Sequence, residues 1–522
     1  MTGAIVTDQF RIANAKNFID SVNNEADSYY MFMGLANPAV TGYGRTESWN
    51  TSPPIPTDNI SKLAHTRDTI LFGRKIKSVN IRRIVRRIAW NAGTKYEMYR
   101  HDYGVDNLSP VTQSSRLYDS NFYVINSDFK VYICIDNGSS VDNPTGNPSL
   151  DEPKFTGLEP SRAGESGGGY VWKYLFTIAP SDIIKFDSTE YIPVPNDWET
   201  TTAEDIKVVR DSANSDVNNN QIKKIYIKNR GGNYSTPDGG GRCDILGDGT
   251  GGEAIIEVNS LGEITNATIA NGGQGYTYGI VDLDNFNGLV GTGGGSFAEL
   301  LPIIPPDKGH GSNIYTELGS DKVLIYVRFD DSSKDFPLDT KFAQIGIIKN
   351  PKQFNSNSAL ISSDFSGLYS LKLNEDNLTV TIGQEITQTV TDENGNDVKA
   401  KGYVASYDSE TKVLKYYNDR SLFFGDTLTH KDYVGISSDA KLVDFSATGG
   451  PISPIGASID TNFTGISTTV ATRIIDLGVQ FQSGVAFPEI NKKTGEIIYL
   501  DNRTLVSRNP RQKEDIKVIL EF

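Results

Sequence analysis

Gly164-Glu165-Ser166-Gly167-Gly168 has the G-x-S-x-G spacing of a serine nucleophile. That chemistry needs a strand before the serine and a helix after it, so that the hydroxyl stands exposed on a sharp turn. Here a Pro/Ser/Gly loop precedes the serine and an alternating aromatic run follows it, so acyl transfer is not expected. The stretch DENGND at 392–397 opens like a calcium loop, which places Gly sixth and Glu twelfth. Asp397 and Tyr403 occupy those positions, so a hairpin turn around Asn394-Gly395 is expected instead. The chain has no Gly-Lys dipeptide and no His-Glu pair, which excludes the phosphate loop and the HExxH zinc helix. His65, His101, His310 and His430 are dispersed; His310, in KGHGSN, suits a loop better than a ligand set. Cys134 and Cys243 lie far apart in sequence, so neither a disulfide framework nor a zinc knuckle is available. The expectation is a protein without catalytic, cofactor or metal residues.

The strongest concentration of charge is basic: Arg74, Lys75, Lys77, Arg82, Arg83, Arg86 and Arg87. The chain as a whole carries a net charge of −15 over 522 residues. Nucleic acid is therefore a poor partner, because phosphate neutralisation needs Lys and Arg in excess. The bland reading of the cluster is a solvated face. The functional reading makes Arg82, Arg83, Arg86 and Arg87 subunit-interface residues that meet an acidic neighbour. Two cysteines fit assembly in a reducing cytoplasm. The first residues lack the pattern of a secretory signal, and no apolar run nears the roughly 18 residues of a membrane span.

These residues need elements to position them. Abundant Gly, 50 in all, points to many short strands joined by turns. A helix is expected over 8–22, capped by Thr7 or Asp8, with Phe10, Ala13, Phe18, Ile19 and Val22 at helical spacing. YYMFMGL reads as a strand. Trp49, Pro53 and Pro54 sit in a loop that proline keeps out of a central strand. KSVNIRRIVRRIAW, which contains Trp90, begins as a short helix before a strand. FYVINSDFKVYICID gives two strands around Asn126-Ser127-Asp128. In GGGYVWKYLF, Tyr170, Trp172, Tyr174 and Phe176 recur at every second position. That face is expected to be core or sheet-packing surface, with Lys173 and Thr177 on the wetter side. The rival reading, a carbohydrate platform, would need those rings exposed.

From about residue 203 the texture changes. Asn229 aligns with Asn271, Gly231 with Gly273, Tyr234 with Tyr276, and Thr250-Gly251-Gly252 with Thr292-Gly293-Gly294, all at an offset of 42 residues. A small two-fold β module follows from this repeat. Residues 353–484, with runs such as NLTVTIG, KGYVASYD and KVLKYYN, read as a second all-β module, and the tail alternates through Ile516, Val518, Leu520 and Phe522. The fold class expected is mainly β (α+β): a discontinuous β-sandwich core with few short helices and two inserted small all-β modules. The core takes 1–85 with 308–352 and 485–522; a second β-rich domain takes 86–202; the modules take 203–307 and 353–484.

The ordered blocks YGRTESW, PPIPTD, VRRIAW, GGGYVWKYLF with EYIPVP, FAQIGIIKNP, GEIIYLDNR and DIKVILEF carry a resemblance. The chain resembles the baseplate wedge protein of T4-like contractile-tailed bacteriophages, the gene-eight product family, over roughly 1–200, 308–352 and 485–522. Trp49, Pro53, Pro54, Trp90, Tyr170, Trp172 and Tyr174 lie in or beside those blocks as structural motif residues. The two modules depart from the family pattern. The resemblance implies a late structural protein of the virion tail, a homodimer that contacts neighbouring wedge proteins, assembled in the host cytoplasm, with no catalysis, nucleic acid or membrane insertion. A glycan-binding adsorption protein, with the repeat module as reader, is the alternative.

Overall fold

The computed structural model describes residues 6–522 apart from 26, 36–48, 50, 214, 216–218, 235–240, 284–296, 331–340, 392–394, 419–443 and 508–511. The fold is mainly β, built of antiparallel sheets with a few short helices. It divides into two compact units. One comprises Met1–Ile19, Arg82–Leu324 and Val518–Phe522; the other comprises Asp20–Ile81 and Ile325–Lys517. The first therefore contains both ends of the chain.

The helix Asp8–Asn23 begins where the sequence places it, with the Thr7 hydroxyl accepting from the Phe10 N–H at 3.3 Å. Its buried stripe is Ile12, Ala15, Ile19 and Val22, a clean i, i+3, i+7, i+10 series. Phe10 is 57% exposed and Ala13 also faces solvent, so the expected face holds at Ile19 and Val22 but not over the first turns. In the first unit, strands Tyr123–Ile125, Lys130–Asp136, Val171–Thr177 and Ser161–Arg162 form one sheet in that order. The turn between the first two is held by Asn126, whose Oδ1 accepts from the N–H groups of Asp128 and Lys130, both at 2.9 Å. The strand Ile81–Arg86 follows a single 3-10 turn at Ser78–Asn80 and pairs antiparallel with Tyr191–Val194.

The 42-residue repeat appears as equivalent turns. Asn229 Oδ1 accepts from the Gly231 N–H at 2.9 Å and Asn271 Oδ1 from the Gly273 N–H at 3.0 Å. Both glycines have left-handed φ, 62° and 60°, which Gly adopts without strain. The copies exchange partners. The first strand of copy one, Ile225–Asn229, pairs with the last of copy two, Glu299–Pro302; Ile264–Gln274 of copy two pairs with Thr250–Val258 of copy one. Thr292-Gly293-Gly294 lie outside the described residues. The helix Glu204–Ala213 precedes this sheet, and its Val209 is 1% exposed within the neighbouring aromatic core rather than in the repeat.

In the second unit, strands Asp364–Ser366, Ile70–Lys75, Tyr29–Gly34, Lys341–Lys349 and Glu496–Ser507 form a sheet in that order. A Cβ on Gly73 would stand 2.2 Å from the Phe365 ring, so only glycine permits that strand contact. Trp49 is 2% exposed against Ala343 and Leu505. Pro53 is half-buried and Pro54 exposed, and the Pro54 carbonyl accepts from Asn502 Nδ2 at 2.8 Å. A further sheet orders Glu385–Thr391, Asp397–Asp408, Val413–Tyr417, Tyr369–Lys372 and Val485–Ala486. Thr391 lies opposite Asp397 across a hairpin whose residues 392–394 are outside the described set. NLTVTIG is not a strand: Asn377 and Gly383 take φ of 54° and 81° at its ends, and the strand that pairs starts at Glu385.

Candidate functional site

The aromatic strand Val171–Thr177 is central in its sheet, paired with Lys130–Asp136 on one side and Ser161–Arg162 on the other. Two bulges interrupt the first pairing, beside Val131/Tyr132 and Cys134/Asp136. Every residue from Trp172 to Phe176 is buried. Tyr170 and Trp172 stack at 5.4 Å with rings 16° apart, and Tyr96 meets both edge-on. Tyr174 meets Tyr132 edge-on at 5.7 Å, and Phe176 meets Trp198 at 6.1 Å. Such pairs add to area burial. The phenol hydroxyls pin surrounding loops: Tyr170 Oη donates to the Asn147 carbonyl at 2.7 Å and Tyr132 Oη to the Phe155 carbonyl at 2.7 Å. Trp90 Nε1 donates to Ser149 Oγ at 2.9 Å. The four rings are therefore core. With Tyr170 4%, Trp172 0%, Tyr174 6% and Phe176 1% exposed, they offer no stacking platform to a sugar.

Lys173 corrects the expected wet side. It is 5% exposed, and its Nζ donates to the Leu158 carbonyl at 2.6 Å. Desolvation holds its pKa below the ordinary lysine value. The strand lies between two covered faces, with Thr177 at its end exposed and Val171 at its start half-buried.

The four arginines lie in the first unit, and each has a partner there. Arg82 Nε donates to Asp182 Oδ2 at 2.9 Å, and its guanidinium lies 5.2 Å from the Phe186 ring centroid. Arg83 is 2% exposed, with its guanidinium 3.7 Å from the Tyr315 centroid. Arg86 donates to the Ser120 carbonyl at 2.9 Å, and Arg87 pairs with Asp187. Arg74 and Lys75 belong to the second unit, where Arg74 bridges Asp364 at 2.5 Å and Asp330 at 3.5 Å and Lys75 reaches Glu25 at 3.6 Å. The sequence run of basic residues is thus two separate sets. The partners were not legible, because Asp182 and Asp187 come from a helix and its end a hundred residues away.

Around Ser166 the local structure is strand, loop, strand. Its N–H and hydroxyl both donate to Asp151, at 2.9 and 2.7 Å, so the G-x-S-x-G match is a loop staple. Among the described residues, no three His, Cys, Asp or Glu side chains are grouped to hold a metal. A buried pair outside the sequence predictions is His310 with Glu317. His310 Nδ1 lies 2.7 Å from one carboxylate oxygen, the Gly311 N–H donates to the other at 2.8 Å, and the His310 ring meets Tyr99 edge-on at 4.8 Å. The Gly-rich KGHGSN segment was the available signal.

Residues 134–233 match the family model described as Bacteriophage T4, Gp8. That segment runs from the strand beside the aromatic strand into the first repeat turn. The chain is also 25% identical over 229 residues to the baseplate wedge protein gp8 of Enterobacteria phage T4, an alignment that covers 39% of this chain. The chain spans 63% of the length of that relative. The resemblance carried by the ordered sequence blocks is thus shown over part of the chain: it is similar to the Gp8 family of phage T4.

Proposed function

We propose that the chain is a structural subunit of the baseplate wedge of a contractile phage tail, acting as a homodimer that links neighbouring wedge proteins and takes part in the baseplate's change of state on infection. The observation that carries this reading is the similarity to gp8, whose family-model match falls on the segment that builds the aromatic core. A non-catalytic role accords with the strand-loop-strand setting of Ser166. The site is the virion tail baseplate, reached by assembly in the host cytoplasm. The repeat sheet is proposed as an inserted module, because Ile222, Ala254, Ile256, Ile264 and Tyr276 form a cluster of their own.

Within this reading Arg82, Arg86 and Arg87, all half-buried, are the docking proposal, since an arginine fork can add a carboxylate across an interface. Arg83 is spent on Tyr315. The test is reconstitution of wedges from co-expressed wedge proteins, followed by sedimentation and electron microscopy. The chain is expected as a stoichiometric component. Wedges that form completely in its absence would sink the reading. Arg82→Glu with Arg87→Glu should weaken association; normal assembly with only a lower melting temperature assigns both arginines to the fold alone.

A further inference from the structure

A cavity of about 710 Å³ opens in the unit that holds both chain ends. Its volume lies in the range of roughly 300–1,000 Å³ typical of pockets that enclose small ligands. It is lined by polar groups of both kinds, and several are unspent. The Tyr99 ring is only 6% exposed, wedged against Phe122 at 5.9 Å and His310 at 4.8 Å. Yet its hydroxyl has no hydrogen bond among the described residues. Tyr99 lines the cavity, and burial of the residue raises its pKa, so its hydroxyl stays protonated and can donate. Asn313 spends Oδ1 on the N–H groups of Tyr315 and Thr316, which leaves its amide NH₂. Lys308, at φ 63°, spends its N–H on Asn220, and its ammonium has no partner among the described residues. Gln9, Asp307 and Lys308 are solvent-exposed members of the same lining.

We propose that this cavity binds a saccharide. Glu199 pairs with Lys16, and Arg210 donates to Asp211 and to the Trp198 and Thr201 carbonyls, so an anionic ligand would still meet Asp307 and a cation would still meet Lys308. A neutral ligand that alternates donors and acceptors satisfies both sets at once, and hydroxyls do this. Glu317 itself is already saturated by His310 and Gly311, so it shapes the floor. The sugar contact falls here rather than on the aromatic strand, whose rings are sealed, or on the repeat turns, whose Tyr234 and Tyr276 are buried.

The test uses the full chain on an array of bacterial cell-surface oligosaccharides, with the best binder then titrated calorimetrically. Two variants remove single donors and keep the structural contacts. Tyr99→Phe retains the ring against Phe122 and His310; Asn313→Asp retains the oxygen that caps the following helix. Each is expected to weaken binding roughly five- to tenfold, the worth of one hydrogen bond, at an unchanged melting temperature. The proposal is overturned if no oligosaccharide binds above background, or if both variants bind like the parent. It is equally overturned if Tyr99→Phe leaves sugar binding intact but blocks wedge assembly, which would assign the cavity to a protein neighbour. The structural wedge reading is judged by assembly and stands or falls separately.

Discussion

Lys173 carries an amine to a place that water does not reach. Its folded pKa is lowered by desolvation, so between that lowered value and the ordinary 10.5 the unfolded chain holds a proton that the folded chain has lost. Stability therefore rises with pH across that window, and the full penalty for the buried charge applies below it. Lys173→Met removes the penalty. Its melting temperature should exceed the parent's near neutrality, and the margin should shrink as pH climbs toward 10.5; a margin independent of pH would contradict the assignment. Two tryptophans give a second comparison. Trp198 Nε1 donates to the carbonyls of Gly311 and Ser312, both at 3.1 Å, whereas Trp172 Nε1 has no partner among the described residues. Both are fully buried. Trp198→Phe leaves those two carbonyls without that donor, so in urea unfolding it should cost ~1–3 kcal/mol more than Trp172→Phe. The aromatic periodicity was legible as core because four rings in a row are too much apolar surface to leave wet. The burial of Lys173 was not, since alternation implies one wet face only when the sheet has one, and the covering segment around Leu158 has no periodic pattern.

The repeat shows how an element can be legible in kind and hidden in arrangement. Its turns need Asn to bond forward two residues and Gly to take left-handed φ, so they leave a fixed signature in sequence. The partner exchange leaves none, because pairing depends on which edges meet. Tyr276, from the second copy, donates to the Ile245 carbonyl at 2.7 Å and accepts from the Gly252 N–H at 3.0 Å in the first copy. Tyr234, from the first, accepts from the Ala298 N–H at 3.0 Å in the second. Tyr276→Phe leaves two buried backbone groups unpaired and should destabilise this sheet by ~1–3 kcal/mol. Hydrogen exchange should show the loss at Gly252 and its strand while the aromatic strand stays protected. Equal loss in both regions would mean that the repeat does not unfold as its own unit. The helix Glu204–Ala213 escaped notice because its polar residues look like a linker, yet Val209 fills a place in the aromatic core.

At the scale of the molecule, the chain ends meet in one unit. The Phe18 and Phe522 rings lie 5.7 Å apart, Lys322 pairs with Glu521 at 2.9 Å, and the Phe522 N–H donates to the Asp321 carbonyl. The closing alternation was legible, and Ile516 and Val518 are buried as it requires. A chain ending at Asn509 loses both, at ~1.5–3 kcal/mol for each buried aliphatic side chain. Its melting temperature should fall, with hydrophobic-dye binding appearing at the freed strand edge; an unchanged melt would refute the closure. The same arrangement sets an order in time. The 193 residues from 325 to 517 (517 − 325 + 1) separate the last two segments of this unit. At ~5–20 residues per second the ribosome needs roughly 10–40 s to cross them. Throughout that interval the nascent chain holds nearly a whole unit that lacks its final strand. A product released within that interval keeps that defect permanently, and synthesis of residues 518–522 becomes the event that completes this unit.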